Sequence, residues 1–248
     1  MKLTLEIWRQ NGPKDTGRYT THVVDDLYPS MSILEMLDKL NDELIESGQE
    51  PVVFESDCRE GICGTCGLDV DGIPHGHEDN LPICHQRLTQ FKDGDTVVIE
   101  PFRSAAYPVV RDLIVDRSGL DRLIQAGGHV AINAGTAPDA DTMLVNYENA
   151  ERALDFAACI GCGACVAACP NGAAHLFMGA KLSHLSLSPT GEMERKRRAK
   201  NMIEELERDF GPCSFYGECA KVCPAGIPLD AVAAVNREMI RSIFPVRN

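Results

Sequence analysis

The 248-residue sequence is short of positive charge. Its 24 Lys and Arg stand against 37 Asp and Glu, a net charge of −13. A surface of that sign repels a phosphate backbone, which excludes nucleic acid as a partner. The opening residues alternate as in a strand and contain no apolar run of the kind a secretory leader needs. Eleven cysteines is an odd number, which argues against a fully paired disulfide scaffold and for thiols kept reduced as metal ligands. There is no glycine-rich nucleotide loop, no Ser/His/Asp set and no poised carboxylate pair, so the chain carries no sign of substrate chemistry of its own. Charge is absent altogether from residues 156–180, a length that could cross a bilayer. Four cysteines and the breaker Pro170-Asn171-Gly172 interrupt this run, and it is read as cluster surroundings instead of a span.

The acidity is uneven. Residues 1–105 hold 9 basic against 20 acidic side chains, the remainder 15 against 17, which points to two modules. In the first, Leu3, Leu5 and Ile7 mark a strand over residues 2–8, and a partner is expected over 19–24. Ser32 and Glu35 form a capping box ahead of a helix carrying Ile33, Leu37, Leu40 and Leu44. Short strands are expected at 52–54, 68–70 and 96–99, with a turn at Asp71-Gly72. Pro101 and Pro108 mark the boundary. Beyond it helices are expected over 113–126, 147–158, 173–185, 193–210 and 229–243, with 134–141 irregular. The basic run 194–200 is read as a solvated helix face. The pattern as a whole is α+β.

The chemistry lies in the cysteines. Cys159, Cys162, Cys165 and Cys169, followed by Pro170, form the run C-x2-C-x2-C-x3-C-P. In bacterial ferredoxins this run holds a cubane, and its fourth cysteine crosses to a second cluster. The required partner run lies downstream at Cys213, Cys219 and Cys223 with Pro224, but its second position is Tyr216. By the crossing rule one centre takes Cys159, Cys162, Cys165 and Cys223 and is a [4Fe–4S] cluster. The other takes Cys169, Cys213 and Cys219, lacks a fourth thiolate, and is read as [3Fe–4S]. Upstream, Cys58, Cys63 and Cys66 with the distant Cys84 have the plant-type [2Fe–2S] spacing. The three sets use all eleven cysteines. His75, His77 and His85 lie near this loop without the paired Cys/His spacing of a Rieske centre, and are read as hairpin surface. Arg59 and Glu60 are read as a structural pair.

With those two motifs, the run Ser56-Asp57-Cys58-Arg59-Glu60-Gly61-Ile62-Cys63-Gly64-Thr65-Cys66-Gly67 resembles the iron–sulfur subunit of succinate dehydrogenase and fumarate reductase. The resemblance covers nearly the whole chain, including Tyr107-Pro108-Val109-Val110-Arg111-Asp112-Leu113. It implies a β-grasp plant-type ferredoxin domain over 1–105 and an all-α bacterial-type two-cluster ferredoxin domain over 106–248. It further implies a flavoprotein partner carrying FAD, a membrane anchor subunit, quinone at their interface, and a peripheral place on the cytoplasmic face of the membrane. Electrons would run from FAD through the [2Fe–2S], [4Fe–4S] and [3Fe–4S] centres to quinone. Two departures touch the quinone end. Ala174 stands where the family often has tryptophan, and Ser214 where many members have histidine. That leaves Pro170, His175, Ser214 and Tyr216 as the quinone vicinity. Seventeen residues separate Cys66 from Cys84, so an enlarged hairpin is expected there. The competing readings are fumarate reduction over the same wire, a freestanding electron carrier or subunit of a heterodisulfide-reductase-like complex, and a scaffold that uses its clusters structurally.

Overall fold

A computed structural model describes residues 1–130 and 144–244; the irregular segment expected at 134–141 lies outside the described residues. Strand β1 (Leu3–Arg9) turns back as β2 (Arg18–Val24), antiparallel with Leu3 opposite Val24. Alternation puts Leu3, Leu5 and Ile7 fully inside, as a half-buried strand requires. Helix α1 (Ile33–Glu46) starts at the expected box. The Ser32 hydroxyl accepts from the Glu35 N–H at 3.2 Å, and the Glu35 carboxylate accepts from the Ser32 N–H at 2.6 Å. It lays Leu37, Leu40 and Leu44 against the sheet.

Strands β3 (Asp69–Val70), β4 (Ile73–Pro74) and β5 (Thr96–Glu100) complete a five-stranded mixed sheet of order β2-β1-β5-β3-β4. The pair β1–β5 is parallel and central. The β3–β4 turn has Asp71 at φ 52° and Gly72 at φ 76°, the double left-handed turn that an Asp-Gly pair favours in a hairpin. Residues 52–54 do not form the expected strand. Their backbone is satisfied by side chains: Val52 N–H donates to Asn41 Oδ1 and Val53 N–H to Asp112 Oδ2. No ladder is needed where side chains take the bonds.

Residues 113–126 also depart from expectation. Asp112 takes φ 45° and closes a small hairpin, β6 (Val109–Arg111) with β7 (Ile114–Val115). Only then does α2 (Ser118–Leu123) begin, running into a π-turn at Ile124–Gly128. The rest is helical: α3 (Tyr147–Ala157), α4 (Ala164–Ala167), α5 (His175–Leu187), α6 (Glu192–Asp209), α7 (Glu218–Lys221) and α8 (Asp230–Ile243). Helix α5 is the hub, with Leu176, Phe177, Met178, Ala180 and Leu182 buried. It meets α8 so closely that a Cβ on Gly179 would lie 1.9 Å from the Ala231 carbonyl oxygen. In the run 194–200, Arg198 is not solvated. It is buried and donates to the Gly127 carbonyl at 2.7 Å and to Glu194 at 2.9 Å.

There are two hydrophobic cores, and the linking segment belongs to both. Phe102 and Tyr107 lie in the helical core, while Leu113 returns to the sheet core. Buried Asp112 ties the return, accepting from the Gln10 and Val53 N–H groups and pairing with Arg9 at 3.2 Å. The architecture is α+β: a mixed sheet with one helix, then a helical bundle.

Candidate functional site

Three groups of sulfurs are brought together. In the first, residues 55–67 run between α1 and β3 with no regular structure. Positive φ at Arg59, Gly61 and Gly64 coils this segment so that its amides face inward. Cys66 and Cys84 are buried, Cys58 and Cys63 half-buried. The sulfur of Cys58 accepts from Glu60 N–H at 3.4 Å; that of Cys63 accepts from Thr65 N–H at 3.4 Å and the Thr65 hydroxyl at 3.1 Å. Burial alone would raise the Cys63 thiol, but the bonds from Thr65 and Cys58 outweigh it and bring it down to about 7. Deeper in, burial pushes Cys66 up to about 12. Arg59 does not pair with Glu60. It reaches back to α1 and binds Asp38 through both terminal nitrogens, at 2.5 and 3.0 Å. His75 is not on the surface either. It is buried with both ring nitrogens lacking a partner, its ring edge-on to Phe102, and burial pulls it down to about 3.

The second and third groups come from one device used twice. Gly163 at φ 87° opens α4, which carries Cys165; Gly217 at φ 86° opens α7, which carries Cys219. Cys159, Cys162, Cys165 and Cys223 line one cavity, with Phe177 and Ile227 as apolar walls. Cys169, Cys213 and Cys219 line a second, together with Tyr216, Ser214 and His175. Cys169 thus faces away from the three cysteines that precede it. Burial pushes Cys162 up to about 12, Cys219 up to about 11, and Cys165 well above its ordinary value.

The donor chemistry fits iron–sulfur clusters. Sulfur is the common ligand at every site, backbone N–H groups point at Cys213 and Cys223 as well as at the first loop, and hydrogen bonds of this kind tune cluster potentials. Among the described residues no three His, Cys, Asp or Glu side chains close on a point that would hold a single metal ion. Buried thiols with raised pKa hold their protons until a cation compensates the thiolate, so binding and deprotonation are linked.

Of the expected quinone vicinity, His175, Ser214 and Tyr216 line the second cavity, whereas Pro170 is exposed outside its lining. Tyr216 is exposed at the rim. Asn171 organises this end: its amide donates to the Pro212 carbonyl at 2.9 Å and to the Ser214 hydroxyl at 2.8 Å.

Arg117 has no sequence signal, standing 45 residues before Cys162. Its guanidinium donates to the Gly64 and Cys162 carbonyls, both at 2.7 Å, and to Thr65 carbonyl and Glu55 at 3.1 Å. One cation therefore clamps the first sulfur loop to the second. The loops touch: a Cβ on Gly64 would fall 2.5 Å from the Ile160 carbonyl oxygen. Tyr107 adds a hydroxyl bond to the Gly163 carbonyl at 3.2 Å.

Known proteins carry the same two parts. Residues 4–122 match a 2Fe-2S iron-sulfur cluster binding domain, and residues 158–227 match a 4Fe-4S dicluster domain. The succinate dehydrogenase iron-sulfur subunit of Bacillus subtilis is 31% identical over 195 residues, covering 76% of this chain and 72% of that one. The fumarate reductase iron-sulfur subunit of Escherichia coli O157:H7 is 27% identical over 243 residues, 97% of this chain and 93% of that one. A solved structure of the Mycobacterium smegmatis Sdh1 complex in the apo form superposes with TM-score 0.70 at 21% identity, over 99% of both chains, which supports the fold. The chain accordingly belongs to the family of succinate dehydrogenase and fumarate reductase iron–sulfur subunits, the electron-transfer part of an oxidoreductase.

Proposed function

We propose that this chain passes electrons from the FAD of a flavoprotein subunit to quinone at a membrane anchor, as part of a succinate dehydrogenase. Residues 1–105 would form its [2Fe–2S] domain, with Cys58, Cys63, Cys66 and Cys84 as ligands. Residues 106–248 would carry a [4Fe–4S] cluster on Cys159, Cys162, Cys165 and Cys223, and a [3Fe–4S] cluster on Cys169, Cys213 and Cys219. The clusters, when bound, supply one-electron carriers of graded potential. The chain's own residues keep these sites adjacent, dry on their inner sides and hydrogen-bonded. No described helix is long and apolar enough to cross a membrane, and we place the subunit peripherally on the cytoplasmic face.

The observation that carries the reading is the pair of neighbouring sulfur cavities, one with four cysteines and one with three plus Tyr216. His175, Ser214 and Tyr216 beside the three-cysteine cavity are the quinone-side residues of this proposal. Electron paramagnetic resonance with redox titration tests it on the purified complex. Three distinct centres are expected, and adding succinate should reduce at least the higher-potential ones. Only two centres, or three that succinate leaves oxidised, would refute it.

A further inference from the structure

Between α3, α5, α6 and α8 lies an open cavity lined by Arg152, Arg195, Arg237 and Arg241. Four guanidiniums converging in a chain of net charge −13 are out of keeping with the rest of its surface. Two carboxylates reach them. Glu238, buried beneath the cavity, is held by Arg195 at 2.5 and 2.6 Å and by Arg237 at 3.3 Å. Asp230 lies 3.5 Å from Arg152, with both side chains more than half exposed. Among the described residues Arg241 makes no ion pair. The cavity therefore keeps about two uncompensated positive charges, counted from these pairs.

A second, independent feature points to a ligand. Ser183 lines the same cavity at 1% exposure, and its hydroxyl has no hydrogen-bond partner. A buried hydroxyl left unbonded is costly. It shares the lining of this cavity with the four arginines, so an anion bound there is a candidate acceptor for it. Guanidinium forks match the oxygens of phosphate in bidentate fashion. Beside Arg241, the end of α8 exposes Ile240 at 58%, Ile243 at 73% and Phe244 at 62%, apolar neighbours suited to the chain of a phospholipid.

We propose that this cavity binds a phosphate group, either that of a soluble phosphate or that of an anionic lipid headgroup. Calorimetric titration of sodium phosphate into the cluster-loaded holoprotein, with sodium chloride as the reference, reads the binding. A saturable one-to-one isotherm is expected. The R152Q/R241Q double variant, altered at two exposed side chains, should bind at least tenfold more weakly with its cluster absorbance and melting temperature unchanged. Ser183→Ala should weaken binding about threefold. Co-sedimentation with phosphatidylglycerol vesicles, against phosphatidylcholine vesicles, then assigns the source. Pelleting that inorganic phosphate displaces and the double variant loses identifies a lipid headgroup; a phosphate isotherm without pelleting identifies a soluble phosphate. Failure of both probes to bind, or binding that the double variant retains at wild-type strength, overturns the proposal.

Discussion

In the sheet-bearing half the sulfur loop is coiled outside the regular elements, and only Cys66 and Cys84 reach into the core. In the helical half Cys162, Cys165 and Cys223 are part of the core itself, packed among Phe177, Leu176 and Ile227. The two halves consequently handle negative sulfur differently. In the first, donors from Thr65 bring the loop thiol Cys63 down to about 7, while burial pushes the core-facing Cys66 up to about 12. In the second, burial pushes up Cys162, Cys165 and Cys219, leaving the compensating charge to the metal. A loop site can be tuned by one side chain, whereas a core site is tied to helix packing.

The severest test of that contrast is Gly179→Ala. Its methyl group would sit 1.9 Å from the Ala231 carbonyl, forcing α5 and α8 apart at about 3 kcal/mol, the upper range for overpacking. Loss of the two helical-half centres on mild heating, with the [2Fe–2S] absorbance intact, is the expected result; simultaneous loss of all three would show that the halves are not separable. Next in size, Arg117→Gln removes the fork that joins the loops. A cost of about 2 kcal/mol is expected from its charged hydrogen bonds, with one calorimetric transition splitting into two. Arg117→Lys should restore part of this, since it keeps charge without the fork.

Tyr216→Cys would complete a fourth thiolate in the second cavity. On the proposed assignment, a [3Fe–4S] signal should give way to a reduced [4Fe–4S] signal of lower potential, with slower quinone reduction by the proposed complex. An unchanged spectrum would remove Tyr216 from the argument.

Asp69 probes the sheet half. Burial raises its carboxyl to about 7, and one oxygen lacks a partner. Because the folded pKa lies above the ordinary carboxylate value of 3.8, the native state holds the proton more tightly, and stability falls as pH rises from there to about 7. Asp69→Asn should therefore raise the melting temperature at pH 8 by the equivalent of about 1 kcal/mol. At low pH, where the wild-type carboxyl is protonated, the gain should vanish. The smallest effect is expected from Thr65→Val, which removes one hydroxyl bond to Cys63. The [2Fe–2S] potential should drop by a few tens of mV, the equivalent of about 1 kcal/mol for one electron, while the helical-half centres stay put.

Much of this was readable along the chain. Alternation in β1, the Ser32–Glu35 box of α1, the Asp71-Gly72 turn and the cysteine spacings are all local patterns, and each element or turn appears at or within two residues of its expected place. Other expectations failed for want of distant partners. Residues 52–54 look like a strand until Asn41 and Asp112 take their N–H groups. Likewise, 113–126 looks like one helix until Asp112 turns the chain.

The residue types and their intervals alone pointed to the α+β order, the family and the three groups of sulfur, because spacing controls which side chains share a strand face or a tight loop. Folding decided the rest: that Arg59 binds Asp38, that His75 and Arg198 are buried, that Arg117 clamps two sulfur loops and that four arginines share a cavity. The clamp and the cavity join residues tens of positions apart, and such partnerships depend on how separate elements pack, which no local interval encodes.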